Sequence, residues 1–206
     1  MSETLIKIIF KESTMEVELL KSFITLFIII DPFISAAFFV GYCKNMKEED
    51  QKKAIWTAIL VAGILMYLFL FLGLFLLHIL NISFNGFRVA GGIILLIMGI
   101  TGVLGIDFVK KNDIKSAAIL IGTPMLAGPG ALTTITILSN DYGYFTTGFA
   151  AILVLIASYF ILRAAPKMQK ILGEEMIHVF SKVLGLLLSA IAVDFIYQGI
   201  RGFIGG

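Results

Sequence analysis

Hydrophobic residues run along this chain in long blocks, and most charged residues fall between the blocks. A membrane-crossing helix needs about 20 consecutive, mainly apolar residues. Six intervals supply that. The first runs from Ser22 to Cys43 and contains one charge, Asp31. The second lies at about 56–79, within the long neutral stretch between Lys53 and Arg88. The third covers about 87–105, the fourth lies between Lys115 and Asp141, and the fifth covers about 144–163. The sixth starts near Phe180 and ends near Arg201, with Asp194 inside it. The pattern predicts an all-α, polytopic membrane protein with six transmembrane helices. Residues 1–16 are expected to form an extracellular segment, as a short surface helix, ahead of a single transmembrane domain over 17–206.

Composition agrees with this reading and narrows it. Charged residues make up 15% of the chain, against about 25% in a soluble domain, and the mean hydropathy is +0.99. The lipid bilayer is therefore the expected solvent. A net charge of +2 gives no case for nucleic acid. The single cysteine, Cys43, excludes an internal disulfide. No spacing of His, Cys or acidic residues resembles a metal site, and no nucleophile stands beside a base or an HExxH pair within the spans. The chain is expected to be neither an enzyme nor a holder of a metal or cofactor. His78 and His178, near span ends, read as interfacial residues.

Lysine and arginine set the expected orientation. Lys44, Lys47, Lys52 and Lys53 follow span one; Lys110, Lys111 and Lys115 follow span three; Arg163, Lys167, Lys170 and Lys182 follow span five. These are 11 of the 16 basic residues. Those three loops are predicted to face the cytoplasm, which places both termini outside the cell.

The two halves of the chain echo each other. Lys21-Ser22 opens span one and Lys115-Ser116 opens span four, an offset of 94. Arg88-Val89-Ala90-Gly91 matches Lys182-Val183-Leu184-Gly185 at the same offset. Pro32 and Pro129 interrupt the first helix of each half. The reading is two inverted three-helix repeats, about 17–108 and about 112–206, each with a broken first helix. That arrangement points to a secondary transporter.

The breaks carry the candidate chemistry. Proline in mid-helix removes a donor and clashes one turn back, but it suits the first position of a helix, where Asp is a good cap. Asp31-Pro32 therefore reads as the start of a new half-helix inside the membrane. Gly128-Pro129-Gly130 reads the same way, with Gly130 leaving room for a close approach; Thr123-Pro124 offers a second start one turn earlier. Free N–H groups at such starts attract anions. The two starts together are expected to cradle a substrate carboxylate, with Ser35, Thr133 and Thr134 as hydroxyl contacts. Asp31 lies on the order of 15 Å from either span end at 1.5 Å per residue, too deep to reach water easily, so it is a candidate for binding or proton coupling. Asp194 is closer to the end of its span. It is either a second coupling carboxylate or a rim residue paired with Arg88 or Arg201.

The stretches PMLAGPGALTTITIL, FRVAGGIILLIMGI and VLGLLLSAIAVDFIYQGI closely resemble the MarC family of integral membrane proteins. The resemblance covers nearly the whole chain after residue 16, and LAGPG with its following threonines is its most specific part. It implies six spans and transport of a small neutral amino acid such as glycine or alanine across the cell membrane. Proton or sodium coupling and a homo-oligomer are both compatible with it. The family usually has Asn-Pro-x-Gly-x-x-Pro in span one; here Asp31 to Ala37 changes the Asn, the Gly and the second Pro. The family's usual Gln in span six corresponds to Asp194. Both departures add a carboxylate. Two rival readings share the architecture: an exporter of another small metabolite or ion, and a non-transporting membrane protein, which gives no reason to bury Asp31.

Overall fold

The structure is a computed structural model and describes residues 2–43, 46–104 and 126–204. These residues form six helices and no strand: α1 (Ser2–Ile30), α2 (Pro32–Cys43), α3 (Glu48–Ile79), α4 (Phe84–Leu104), α5 (Pro129–Tyr142) and α6 (Tyr144–Ile204). Among the described residues five segments are long and apolar enough to cross a membrane: Met15–Ala36, Glu48–Ile79, Phe84–Leu104, Tyr144–Met168 and Lys182–Ile204. They fall on predicted spans one, two, three, five and six. Of the fourth, only the second half is described, as the 14-residue α5. Residues 105–125, with Lys110, Lys111, Lys115 and the Thr123-Pro124 start, lie outside the described residues.

Two boundaries differ from the sequence reading. The N-terminal segment is not a separate surface helix, since α1 begins at Ser2 and runs unbroken to Ile30. The cause is local: no Gly or Pro precedes Pro32, so nothing stops the helix. The stretch after span five, read as a loop, is helical, and α6 continues through Pro166 for 61 residues.

The contacts of α6 show that it is not one straight rod. The rings of Tyr144 and Phe71 stack at 6.1 Å, the Tyr67 hydroxyl donates to the Gly148 carbonyl at 2.8 Å, and Trp56 meets Tyr159 edge-on at 6.2 Å. The first arm of α6 (Tyr144–Met168) thus runs antiparallel to α3. A Cβ on Gly99 would stand 2.8 Å from the Gly185 carbonyl oxygen, and one on Gly199 would stand 2.8 Å from that of Asn85. The second arm (Lys182–Ile204) thus runs antiparallel to α4. Tyr144 lies at Phe71, two turns before the end of α3, and Gly202 lies at Asn85 in the first turn of α4. A straight helix of ~1.5 Å per residue would hold them ~87 Å apart. The chain therefore turns back between Tyr159 and Gly185.

In lipid, pressing helix on helix gains little hydrophobic free energy, so close packing and hydrogen bonds hold the bundle. Glycines of α4 and the second arm bring those two backbones together. Leu60, Ile64, Leu68, Phe71, Leu72 and Phe75 of α3 are exposed and form a lipid-facing stripe. The bundle has two ends. At one, Lys47 precedes α3, whose first turn carries Glu48, Glu49 and Asp50. At the other lie the α3–α4 turn, Arg88 and the α5–α6 joint.

Candidate functional site

Each break is built by its own sequence. Pro32 has no N–H, so the Ile28 carbonyl loses its helical donor and α1 ends. Asp31 adopts φ 39, a left-handed conformation that Asp tolerates better than most residues. From there its Oδ1 accepts the Ile34 N–H at 3.1 Å, and the Phe33 N–H also bonds to its carboxylate. Asp31 therefore caps α2, as the Asp-Pro pair predicts. At the other break Gly128 is the N-cap in an extended conformation and Pro129 is the first residue of α5. No side chain caps this helix. The first N–H groups of α5, on Gly130 and Ala131, have no helical acceptor by geometry.

The two starts lie at comparable depth. Glu18 of α1 is within electrostatic reach of the Tyr142 hydroxyl at the end of α5. Asp31 is 13 residues along α1 from Glu18, and Pro129 is 13 residues back along α5 from Tyr142. At ~1.5 Å per residue both breaks sit ~20 Å from that shared level. From there α2 runs towards the Lys47 end and α5 towards the Arg88 end.

The candidate hydroxyls separate into two kinds. Thr133 donates to the Pro129 carbonyl at 2.8 Å, and its methyl fills the notch left by Gly91 of α4. Thr136, one turn on, donates to the Leu132 carbonyl at 3.0 Å and packs at Gly73 of α3. Ser35 and Thr134 are fully buried, and their hydroxyls have no partner among the described residues. Thr133 is thus committed to packing, while Ser35 and Thr134 hold unused donors close to the two breaks. Buried hydroxyls without partners are costly, ~1–3 kcal/mol each. Gly130 also differs from expectation. A Cβ there would stand 2.6 Å from Leu95 Cδ2 and 3.2 Å from Met98 Sδ, so its open side is filled by α4 and leaves no room for a ligand on that side. The missing Cβ serves the α4–α5 contact, which sequence reading had no means to see.

Asp194 does not join the breaks. It is exposed and accepts from Gln198 Nε2 at 2.6 Å. Gln198 Oε1 in turn accepts from Arg88 Nη1 at 2.9 Å. Arg88 forms its ion pair with Asp141 of α5, not with Asp194. The cluster of Arg88, Asp141, Asp194 and Gln198 was only half visible in the sequence: Arg88 and Asp194 stand out as charges in apolar runs, whereas Asp141 reads as a loop residue.

A model of the family described as MarC family integral membrane protein matches residues 17–204. Among similar curated proteins, UPF0056 membrane protein YhcE of Escherichia coli is 30% identical over 200 residues, covering 90% of this chain and 93% of that protein. UPF0056 membrane protein MJ1677 of Methanocaldococcus jannaschii is 28% identical over 194 residues, covering 88% and 95%. A UPF0056 membrane protein of Archaeoglobus fulgidus is 28% identical over 193 residues, covering 87% and 90%. No solved structure matches the chain.

Proposed function

The chain belongs to the MarC family of integral membrane proteins, and we propose that it is a secondary transporter of small neutral amino acids, glycine- or alanine-like, coupled to H+ or Na+. One observation carries the reading: two half-helices, α2 and α5, each start at a proline break within an apolar span. Half-helix starts at the midplane are where secondary transporters bind charged substrates.

The two starts divide the work. At α2 the first N–H groups already serve the Asp31 carboxylate, so a second carboxylate is not accommodated there. The α5 start is uncapped, and its N–H groups and helix dipole suit the substrate carboxylate. The Asp31 carboxylate then takes the substrate ammonium. The hydroxyls of Ser35 and Thr134 supply further polar contacts. A zwitterion presents one group to each of these two sites.

Inverted-repeat architecture with six spans is part of the same reading. It is supported by the packing of α3 on the first arm of α6 and of α4 on the second arm, because each pair joins corresponding spans of the two halves. By lysine bias the Lys47 end is cytoplasmic and the Arg88 end extracellular, in the cell membrane. Asp31 is the coupling carboxylate, since its affinity for a proton depends on which side water reaches. The test is uptake of labelled glycine, alanine and leucine into proteoliposomes under imposed proton or sodium gradients. Gradient-dependent accumulation of glycine or alanine is expected. Absence of both uptake and binding for all three would remove the assignment.

A further inference from the structure

Arg88 is the only charged residue of α4, and its side chain is only 12% exposed. It ties three elements together. Nη2 donates to both oxygens of Asp141 at the end of α5. Nη1 donates to Gln198 on the second arm of α6, and the guanidinium lies over the Phe84 ring at 4.9 Å. Its Nε is buried without a partner among the described residues.

The helix held in this way is bounded by a joint at each end. Its N-terminal end is the Gly128-Pro129 break. Its C-terminal end is Gly143, with φ 83, where an added Cβ would meet nothing within 4 Å. Gly143 is therefore required by backbone conformation and not by packing. Between these joints α5 is a short rod, and Arg88–Asp141 is the only ion pair on it among the described residues. Arg88 also has another carboxylate close by: Asp194 is joined to it through the single side chain of Gln198. Glu18 and Asp194 both lie, with Asp141, within electrostatic reach of the Tyr142 hydroxyl. Arg88 thus has a second carboxylate, Asp194, one side chain away from the pair it makes.

We propose that Arg88–Asp141 is a latch controlling access to the Gly128-Pro129 break from the Arg88 end. Closed, as in this structure, it holds the far end of α5 against α4 and the second arm. When Arg88 passes from Asp141 to Asp194, α5 is released to pivot at Gly143 and the buried face behind it opens to water. The proposal rests on the reading of the α5 start as part of the substrate site, but its test does not depend on that reading.

The test uses the full chain with Cys43→Ser and a reporter, Ser139→Cys, whose native serine is buried at 3% exposure. A membrane-impermeant thiol reagent is applied from each side of the membrane in turn. Labelling from the Arg88 side is expected to be slow in the parent and about tenfold faster in Arg88→Gln and Asp141→Asn. The exchanged pair, Arg88→Asp with Asp141→Arg, is expected to return it towards the parent rate. Asp194→Asn removes the second acceptor and is expected to slow labelling below the parent. A static brace predicts lower melting temperatures with labelling unchanged, and that result overturns the latch. Should Arg88→Gln fail to assemble, the isosteric Asp141→Asn decides alone. Faster labelling without any amino acid binding keeps the latch and removes the proposed cargo; transport with labelling unchanged does the reverse.

Discussion

Gly130 offers the sharpest separation of packing from binding. Alanine there places a Cβ 2.6 Å from Leu95 Cδ2 and 3.2 Å from Met98 Sδ, whereas carbon atoms prefer ~3.5–4.0 Å. Leu95 is fully buried, so its side chain has little freedom to retreat. Overpacking of this kind costs about 1–3 kcal/mol. Leu95→Ala alone should cost about 2–5 kcal/mol through its cavity. In the double variant the new methyl enters that cavity, so the two costs should fail to add by about 1 kcal/mol or more. The measurement is thermal unfolding of the four proteins in detergent, followed by loss of the monodisperse peak, alongside glycine binding. The Gly130 Cβ direction faces α4, so the double variant should bind glycine as the parent does while Gly130→Ala alone is destabilised. Additive costs would refute the Leu95 contact. A stable double variant that has lost glycine binding would show that the substrate occupies the side assigned here to Leu95.

Asp31→Asn should reduce gradient-driven accumulation more than substrate exchange, since Asn can still cap α2 but cannot carry a proton; equal accumulation under every gradient would make Asp31 a cap alone. Thr134→Val should weaken glycine binding several-fold, whereas Thr133→Val, which keeps the shape at Gly91, should leave it nearly unchanged; titration calorimetry of both variants distinguishes them, and the opposite ranking would overturn the assignment of the hydroxyls. Both termini should be extracellular, so cysteines introduced at residues 2 and 206 should react with an impermeant reagent on intact cells, while labelling of residues 47 and 170 from outside would reverse the orientation.

Much of the bundle could be read from the chain because lipid imposes a coarse rule: charge-free runs of sufficient length become spans. The Asp-Pro and Gly-Pro-Gly breaks were equally legible, since proline chemistry is local and Asp31 is a good cap wherever it stands. What could not be read depends on neighbours far along the chain. Nothing near Gly130 in sequence announces Leu95, and nothing near Asp141 announces Arg88. Thr133 and Thr134 are adjacent and identical, yet a helix places them 100° apart, and only the position of Gly91 decides which one packs. The helical course through Pro166 was missed because charged and polar residues there look like a loop, whereas Glu, Lys, Gln and Met are strong helix formers.

The enclosure of α5 has a consequence for how this protein is made. From Gly130 to Ser139 every residue except Leu132 is buried, and the helix carries Thr133, Thr134, Thr136, Ser139, Asn140 and Asp141 within 14 residues. The polar groups of this half of span four make its release from the translocon into lipid less favourable than that of the other spans. Its place is made by helices on both sides of it in the sequence: Gly73 and Gly91 are synthesised before it, and the first arm of α6 after it. The enclosure of α5 is therefore complete only once the first arm of α6, which follows it in the chain, has joined the bundle.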